Sequence, residues 1–286
     1  MSQPQQTRNA ELAGSWYPAT PTACQASFGR FERGAVESTR THLVGGVVPH
    51  AGWAFSGAIA YNVLRELAAA ASEAETIVLF AGHLGPEAAS TVMQHGQCWT
   101  PFGPIETDEA LVQRLSTDAP LRAESPLDHT QDNSAEVLFP LIKHFFPTAR
   151  VVILGAPPRA ATLQLADAVI DAAEQLQRRI VVLGSTDLTH YGPNYGFSPQ
   201  GPGAAAERWV REVNDPLFIA AACEGTPLEV LQTGRVHRNA CCPGAVAAAW
   251  RCAQRLGASS GERLRYATST DVRPDASFVG YGGIVY

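Results

Sequence analysis

The chain alternates short apolar runs, rich in β-branched residues, with longer stretches in which apolar residues recur every three or four positions. Leu43 to Val48, Thr76 to Phe80, Arg150 to Gly155 and Ile180 to Gly184 are runs of the first kind. Between helical segments, such runs mark strands buried on both faces, as in a parallel sheet. The second kind covers Gly57 to Ala70, with Ile59, Val63, Leu64 and Leu67 on one face. It also covers Ala161 to Arg178, with Leu163, Ala166, Val169, Ile170, Ala173 and Leu176 inside. Ser56 is placed to cap the first of these helices and Asp108 to cap another carrying Leu111, Val112 and Leu115. Pro140 should kink or delay the helix over Val137 to Ile142. Ala89 to Thr107 reads as irregular or sheet-edge, and Ala204 to Val213 as helical. A helix starts after Pro243, where proline is favoured, and Ser277 to Tyr286 reads as a final strand or hairpin. Strands and helices alternate without a clear linker. The expectation is one α/β domain over residues 1–286, a mostly parallel central sheet with helices on both faces.

Three strands end alike. The first runs into Pro49 and His50, the second into Ala81-Gly82-His83, and the fourth into Ser185-Thr186-Asp187-Leu188-Thr189-His190. Parallel strands deliver their carboxyl ends to one edge, which is where open α/β sheets bind ligands. Taken alone, such a histidine reads first as a turn residue bonded to backbone; their convergence is what points to chemistry. Two histidines from separate strand ends and one anionic donor make a three-ligand metal site with positions left open. Cys241 is one candidate for the third donor, because a sulfur at the start of a helix sits at the positive end of its dipole, which favours thiolate. Its competing reading is a small buried apolar residue. Glu136 and Asp187 are the carboxylate candidates for the same role. Asp187 and His190 also suit acid–base work beside a metal, against a plain reading as a turn cap and a packed ring. Cys242 reads as structural, and Trp16, within Ala13 to Pro18, as a core anchor. No G-x-S-x-G elbow, phosphate-binding loop or dinucleotide fingerprint occurs.

Composition narrows the classes. Hydrophobic residues make up 45% and charged ones 17%, so the chain is of ordinary globular type. The net charge is -6 and no basic cluster exceeds Arg178-Arg179, which argues against a nucleic-acid partner. No apolar run approaches the ~20 residues that span a bilayer, and the polar start lacks a signal peptide's apolar core. A cytoplasmic location and no membrane partner are expected. Six scattered cysteines in such a chain are expected to be thiols.

The order of motifs along nearly the whole chain resembles the Memo family, which includes the protein B component of the AMMECR1/Memo/radical-SAM gene sets. The residues that carry the likeness are Ala13-Gly14-Ser15-Trp16-Tyr17-Pro18, Pro49-His50-Ala51-Gly52-Trp53-Ala54-Phe55-Ser56-Gly57, the strand ending at His83, and Ser134-Ala135-Glu136. Ser185-Thr186-Asp187-Leu188-Thr189-His190-Tyr191-Gly192, Asn239-Ala240-Cys241 and Val279-Gly280-Tyr281 complete it. The resemblance implies a fold like that of class III extradiol dioxygenases and a centre for Fe(II), with copper or zinc as alternatives. It implies His50, His83 and Cys241 as metal ligands, Asp187 and His190 as a catalytic pair beside them, and Trp16 and Phe55 as pocket walls. A small-molecule or peptide substrate and a functional link to a radical-SAM protein and an AMMECR1-like protein follow from it too. The implied activity is a metal-dependent oxidoreductase; a non-enzymatic metal- or peptide-binding adaptor and a zinc hydrolase are the alternatives. Three departures bear on the reaction. The turn before His83 is Phe80-Ala81-Gly82, Asn133 stands beside Glu136 in the pocket motif where the family has histidine, and Cys242 follows Cys241 where the family has glycine.

Overall fold

The structure, a computed structural model, describes residues 6–286; the first five residues of the polar start lie outside it. Four strands form its centre: β1 (Gly45–Val48), β2 (Thr76–Ala81), β3 (Arg150–Gly155) and β4 (Ile180–Ser185). They lie in the order β1-β4-β2-β3, and every neighbouring pair is parallel. The sheet grows to nine strands by additions at its flanks, where the strands that join the central four do so antiparallel. Strand β5 (Phe278–Val285) pairs antiparallel with β1, and Glu262–Thr268 pairs with the other edge of β5. At the opposite flank Thr91–Met93 runs antiparallel to β3. The terminal apolar stretch is thus a strand of this sheet.

Alternation along the central strands sorts their side chains into two cores. Val47, Val78, Phe80, Val152, Leu154 and Val182 pack on one face, against helices α2 (Ala161–Gln175) and α3 (Pro243–Arg255). Val48, Ile77, Leu79, Val151, Val181 and Leu183 pack on the other, against Ile142, Leu64 and Leu67. Each fully buried aliphatic side chain contributes about 1.5–3 kcal/mol, so both faces are strongly covered and the register is fixed. Gly184 in β4 lets α3 come close: a Cβ there would lie 2.8 Å from the Ala245 carbonyl oxygen. That approach sets where the start of α3 meets the sheet edge.

Some local expectations need correction. Ser56 does not cap a helix; it lies inside a π-type turn (Trp53–Gly57) that runs directly into Ala58–Ala70, and its hydroxyl donates to the Ala51 carbonyl at 3.2 Å. Asp108 caps its helix, accepting from the Leu111 N–H at 3.2 Å. Pro140 sits in the first turn of Phe139–Phe145, so the proline delays that helix. Helices Pro21–Glu32, Asp215–Glu224 and Pro227–His237 were not anticipated. All three carry proline in the first turn, and Thr226 and Glu229 form a capping box for the last. All six cysteines are free thiols. Among the described residues no helix is long and apolar enough to cross a membrane.

Candidate metal centre

His50, His83 and Asp187 each stand two residues beyond the end of a central strand, and those strands, β1, β2 and β4, are adjacent. Strand order therefore brings the three to one place, with Asp187 in the middle. Gly82 makes the turn before His83 with φ +94, a left-handed conformation that favours glycine, and its N–H donates to the Ser134 hydroxyl at 2.8 Å. Cys242 caps α3, so Cys241 precedes the helix, and the Cys241 N–H donates to the Asp187 carbonyl at 3.1 Å.

The side chains converge. Cys241 Sγ lies 3.2 Å from His50 Nε2, and the His50 and His83 rings meet edge to face with centroids 4.9 Å apart. One donor atom from each of His50, His83, Cys241 and Cys242 can be chosen so that all four lie within 4.8 Å of one another. Two nitrogens and two sulfurs at that spacing suit a divalent or thiophilic transition metal.

The outer hydrogen bonds decide whether the histidines can ligate. The Ser185 hydroxyl donates to the Ser134 carbonyl at 2.6 Å, which leaves its lone pairs to accept from His50 Nδ1 at 2.8 Å. Asp132 receives His83 Nδ1 at 3.1 Å and the His83 backbone N–H at 2.8 Å. Both Nδ1 atoms thus carry hydrogen and are spent behind the cleft, and both Nε2 atoms are left for a metal. A carboxylate or hydroxyl holding the far nitrogen of a metal histidine is the usual supporting arrangement. The residues present fit a metal ion.

Electrostatics agree. Burial alone would raise the Cys241 thiol, yet a hydrogen bond from Cys242 and the nearby His50 and His83 hold it well below the usual thiol range. The Asp187 N–H also donates to its sulfur at 3.2 Å. Cys242 is pushed up by donating to Cys241 and by burial. Burial would lower His83, but Asp132 and Cys241 raise it to about 10. Burial would likewise raise Asp132, but hydrogen bonds from His83 and Ser134 hold it low. Asp187 is raised, chiefly by burial. Without metal the cluster favours negative charge on Cys241 and positive charge on the imidazoles beside it, a balance that a cation would replace.

The cleft in front of this cluster has a volume of about 450 Å³ and includes Trp16, Phe55, His190, Tyr195, Tyr281 and Asn133 in its wall. Trp16 reaches it because the Trp16 carbonyl accepts from the Trp53 N–H at 2.8 Å, tying the early loop to the segment after His50. Trp16 is therefore a half-exposed wall, not a core anchor. Asn133 donates to the His50 carbonyl at 2.9 Å.

Two expected roles fall elsewhere. Glu136 does not line the cleft; it is buried behind it, accepting the Leu12 N–H at 2.7 Å and the Tyr17 hydroxyl at 3.1 Å, and so holds the loop that presents Trp16. Asp187 does not orient His190 through its ring. It accepts the His50 N–H at 2.8 Å, while His190 Nδ1 donates to the Leu188 carbonyl at 3.1 Å. Asp132, Ser185, Cys242, Tyr195 and Tyr281 are site residues that the sequence reading missed. Asp132 had a local signal, since it also caps the short helix at Asn133, accepting from the Ser134 N–H at 2.7 Å, and Ser185 and Tyr281 lie inside family motifs that assigned them no role.

Comparison with known proteins adds a family. The model of the Memo-like protein family matches residues 8–285. A MEMO1 family protein of Methanopyrus kandleri is 30% identical over 291 residues, covering 98% of each chain. One of Thermococcus onnurineus is 28% identical over 293 residues, covering 98% of this chain and 99% of the relative. Among solved structures, an uncharacterized Escherichia coli K12 protein aligns with a TM-score of 0.49 at 11% identity, covering 85% of this chain and 99% of that one.

Proposed function

The chain belongs to the Memo-like protein family, and from that premise we propose that it is a metal-dependent oxidoreductase with its centre at His50, His83 and Cys241. The observation that supports this most is the pair of histidines with Nδ1 held by Ser185 and Asp132 and Nε2 turned toward one thiolate. Such a set holds iron or copper with positions left for substrate. Bound there, iron first and copper second, the ion would supply one-electron chemistry between dioxygen and an electron-rich substrate. The protein's own residues would do the rest. Trp16, Phe55 and Tyr281 would bury an apolar or aromatic body and exclude water from it. His190, its Nδ1 fixed on Leu188, would present Nε2 to the cleft to take or return the substrate's proton. Asn133 cannot titrate, so it would only steady the backbone at His50.

The test is metal analysis of protein purified anaerobically without chelators or tags, followed by ferrous-dependent oxygen uptake. Iron or copper near one per chain, lost in a His50→Ala, His83→Ala double variant, is the expected result. Metal-free wild type, or a double variant that keeps its metal, would overturn the proposal. A second reading is a zinc centre: held by His50, His83 and Cys241 alone, zinc would keep an open position for hydrolysis, whereas Cys242 as a fourth donor would close the tetrahedral site and leave it non-enzymatic. The same analysis separates the two, since zinc alone at one per chain favours the second.

A further inference from the structure

A second cavity, about 350 Å³, meets the metal cluster from another side. Cys241 lines this cavity and not the aromatic cleft, whereas His50 and His83 line the cleft and not this cavity. His190 and Tyr195 line both, their rings edge to face at 4.9 Å. The cluster thus stands between two chambers that meet at His190. Their linings differ in chemistry. The cleft carries aromatic side chains and Asp187; the second cavity carries Arg235 and Arg238 and no carboxylate, in a chain whose net charge is -6.

Both arginines lie at the carboxyl end of the Pro227–His237 helix, the negative end of its dipole, which favours basic side chains there. The dipole does not account for how Arg238 is held. Its backbone takes φ +51, unusual for a residue with a side chain, and its guanidinium lies 4.7 Å from the centre of the Phe197 ring. A guanidinium held over a ring by its carbon still has N–H groups to offer an oxyanion in the fork arrangement.

We propose that this cavity is an oxyanion subsite: the substrate is a small organic acid, its carboxylate or phosphate held by Arg235 and Arg238 and its apolar body reaching past His190 into the aromatic cleft. The inference rests on the metal cleft being a substrate site, as proposed above, and gives that substrate a charge and a direction. It also places Arg235 and Arg238 as specificity determinants that touch substrate but not metal.

The experiment is titration calorimetry on metal-loaded and metal-free protein. The probes are phenylacetate, its neutral isostere phenylacetamide, and inorganic phosphate. Wild type should bind phenylacetate roughly tenfold or more tightly than the amide, a preference that falls with added salt. An Arg235→Gln, Arg238→Gln double variant should lose that preference while keeping wild-type metal content and melting temperature. An Arg238→Lys variant should retain part of it, because charge survives and the fork is lost. Phosphate binding that depends on the two arginines would assign the subsite to phosphate; phenylacetate binding alone would assign it to carboxylate. A preference that survives the double variant, or no preference in wild type, overturns the proposal. Because metal content is read separately, a protein that takes up no metal yet shows the arginine-dependent preference would defeat the oxidoreductase reading and leave the subsite standing.

Discussion

The two edges of the central sheet each carry a cavity, and the larger one has the less to do. At the amino ends of β2, β3 and β4 lies a cavity of about 810 Å³, against about 450 Å³ for the aromatic cleft at the carboxyl ends. The larger one is rich in charge, but most of those charges are already engaged. Arg178 pairs with Asp108 at 3.1 Å, Arg179 with Glu75 at 3.7 Å and Arg150 with Glu106 at 3.9 Å, and Lys143 donates to the Pro147 carbonyl at 2.7 Å. At the carboxyl edge the donors instead turn inward toward one point, and their hydrogen bonds lie behind them. Convergent, unspent donors mark a site; volume does not.

That contrast can be broken by experiment. The largest effect is expected at Asp132. Replacing it with alanine frees the His83 ring and should weaken metal binding about 10–100-fold, measured by competition with a chelator; unchanged affinity would mean the carboxylate does not hold the ligand. Next is Gly184→Ala, whose Cβ would push α3 off β4. Overpacking of this kind costs about 1–3 kcal/mol and should shift Cys241 with the helix, so denaturant melts and metal affinity should fall together. A loss of stability with metal affinity intact would uncouple the helix from the site.

Acidity gives a third effect. His83 holds its proton up to about 10 in the metal-free protein, and a metal must displace the proton that Nε2 carries. Metal affinity should therefore rise with pH, about tenfold per unit for each proton released, and a flat profile would show that His83 is not a ligand. Folding stability of the metal-free protein runs the other way. A raised histidine contributes fully below its ordinary value, and that contribution is lost as pH rises through about 10, which melting at increasing pH would follow. The smallest effect belongs to the other edge. Arg179→Ala removes a half-exposed ion pair worth about 0–1 kcal/mol and should leave metal binding untouched; a fall in metal affinity there would undo the distinction between the edges.

The family motifs made the candidate metal trio legible because each member sits at a fixed offset from a strand end or helix start. What they could not carry was direction. Glu136 has the right type and neighbourhood for a pocket carboxylate, yet it faces the Leu12–Tyr17 loop. Asp187 stands three residues before His190, but the turn between them sends its carboxylate to the His50 N–H. Cys242 reads as structural from sequence, yet at the N-cap position of α3 its sulfur lies among the candidate metal donors.

The sequence alone determined what local pattern governs: four unbroken apolar runs that form strands, two of the helices between them, and a histidine placed two residues past each of two strand ends. Those follow from continuous β-branched apolar runs, helical repeat and the stop signals Pro49 and Gly82, all set within a few residues. Tertiary structure decided that β4 lies between β1 and β2, that a sulfur 191 positions along the chain meets His50, and that Asp132 rather than Asp187 supports a ligand ring. Strand order and side-chain direction depend on how two buried faces are covered at once, a condition imposed by the whole core and written in no single stretch of it.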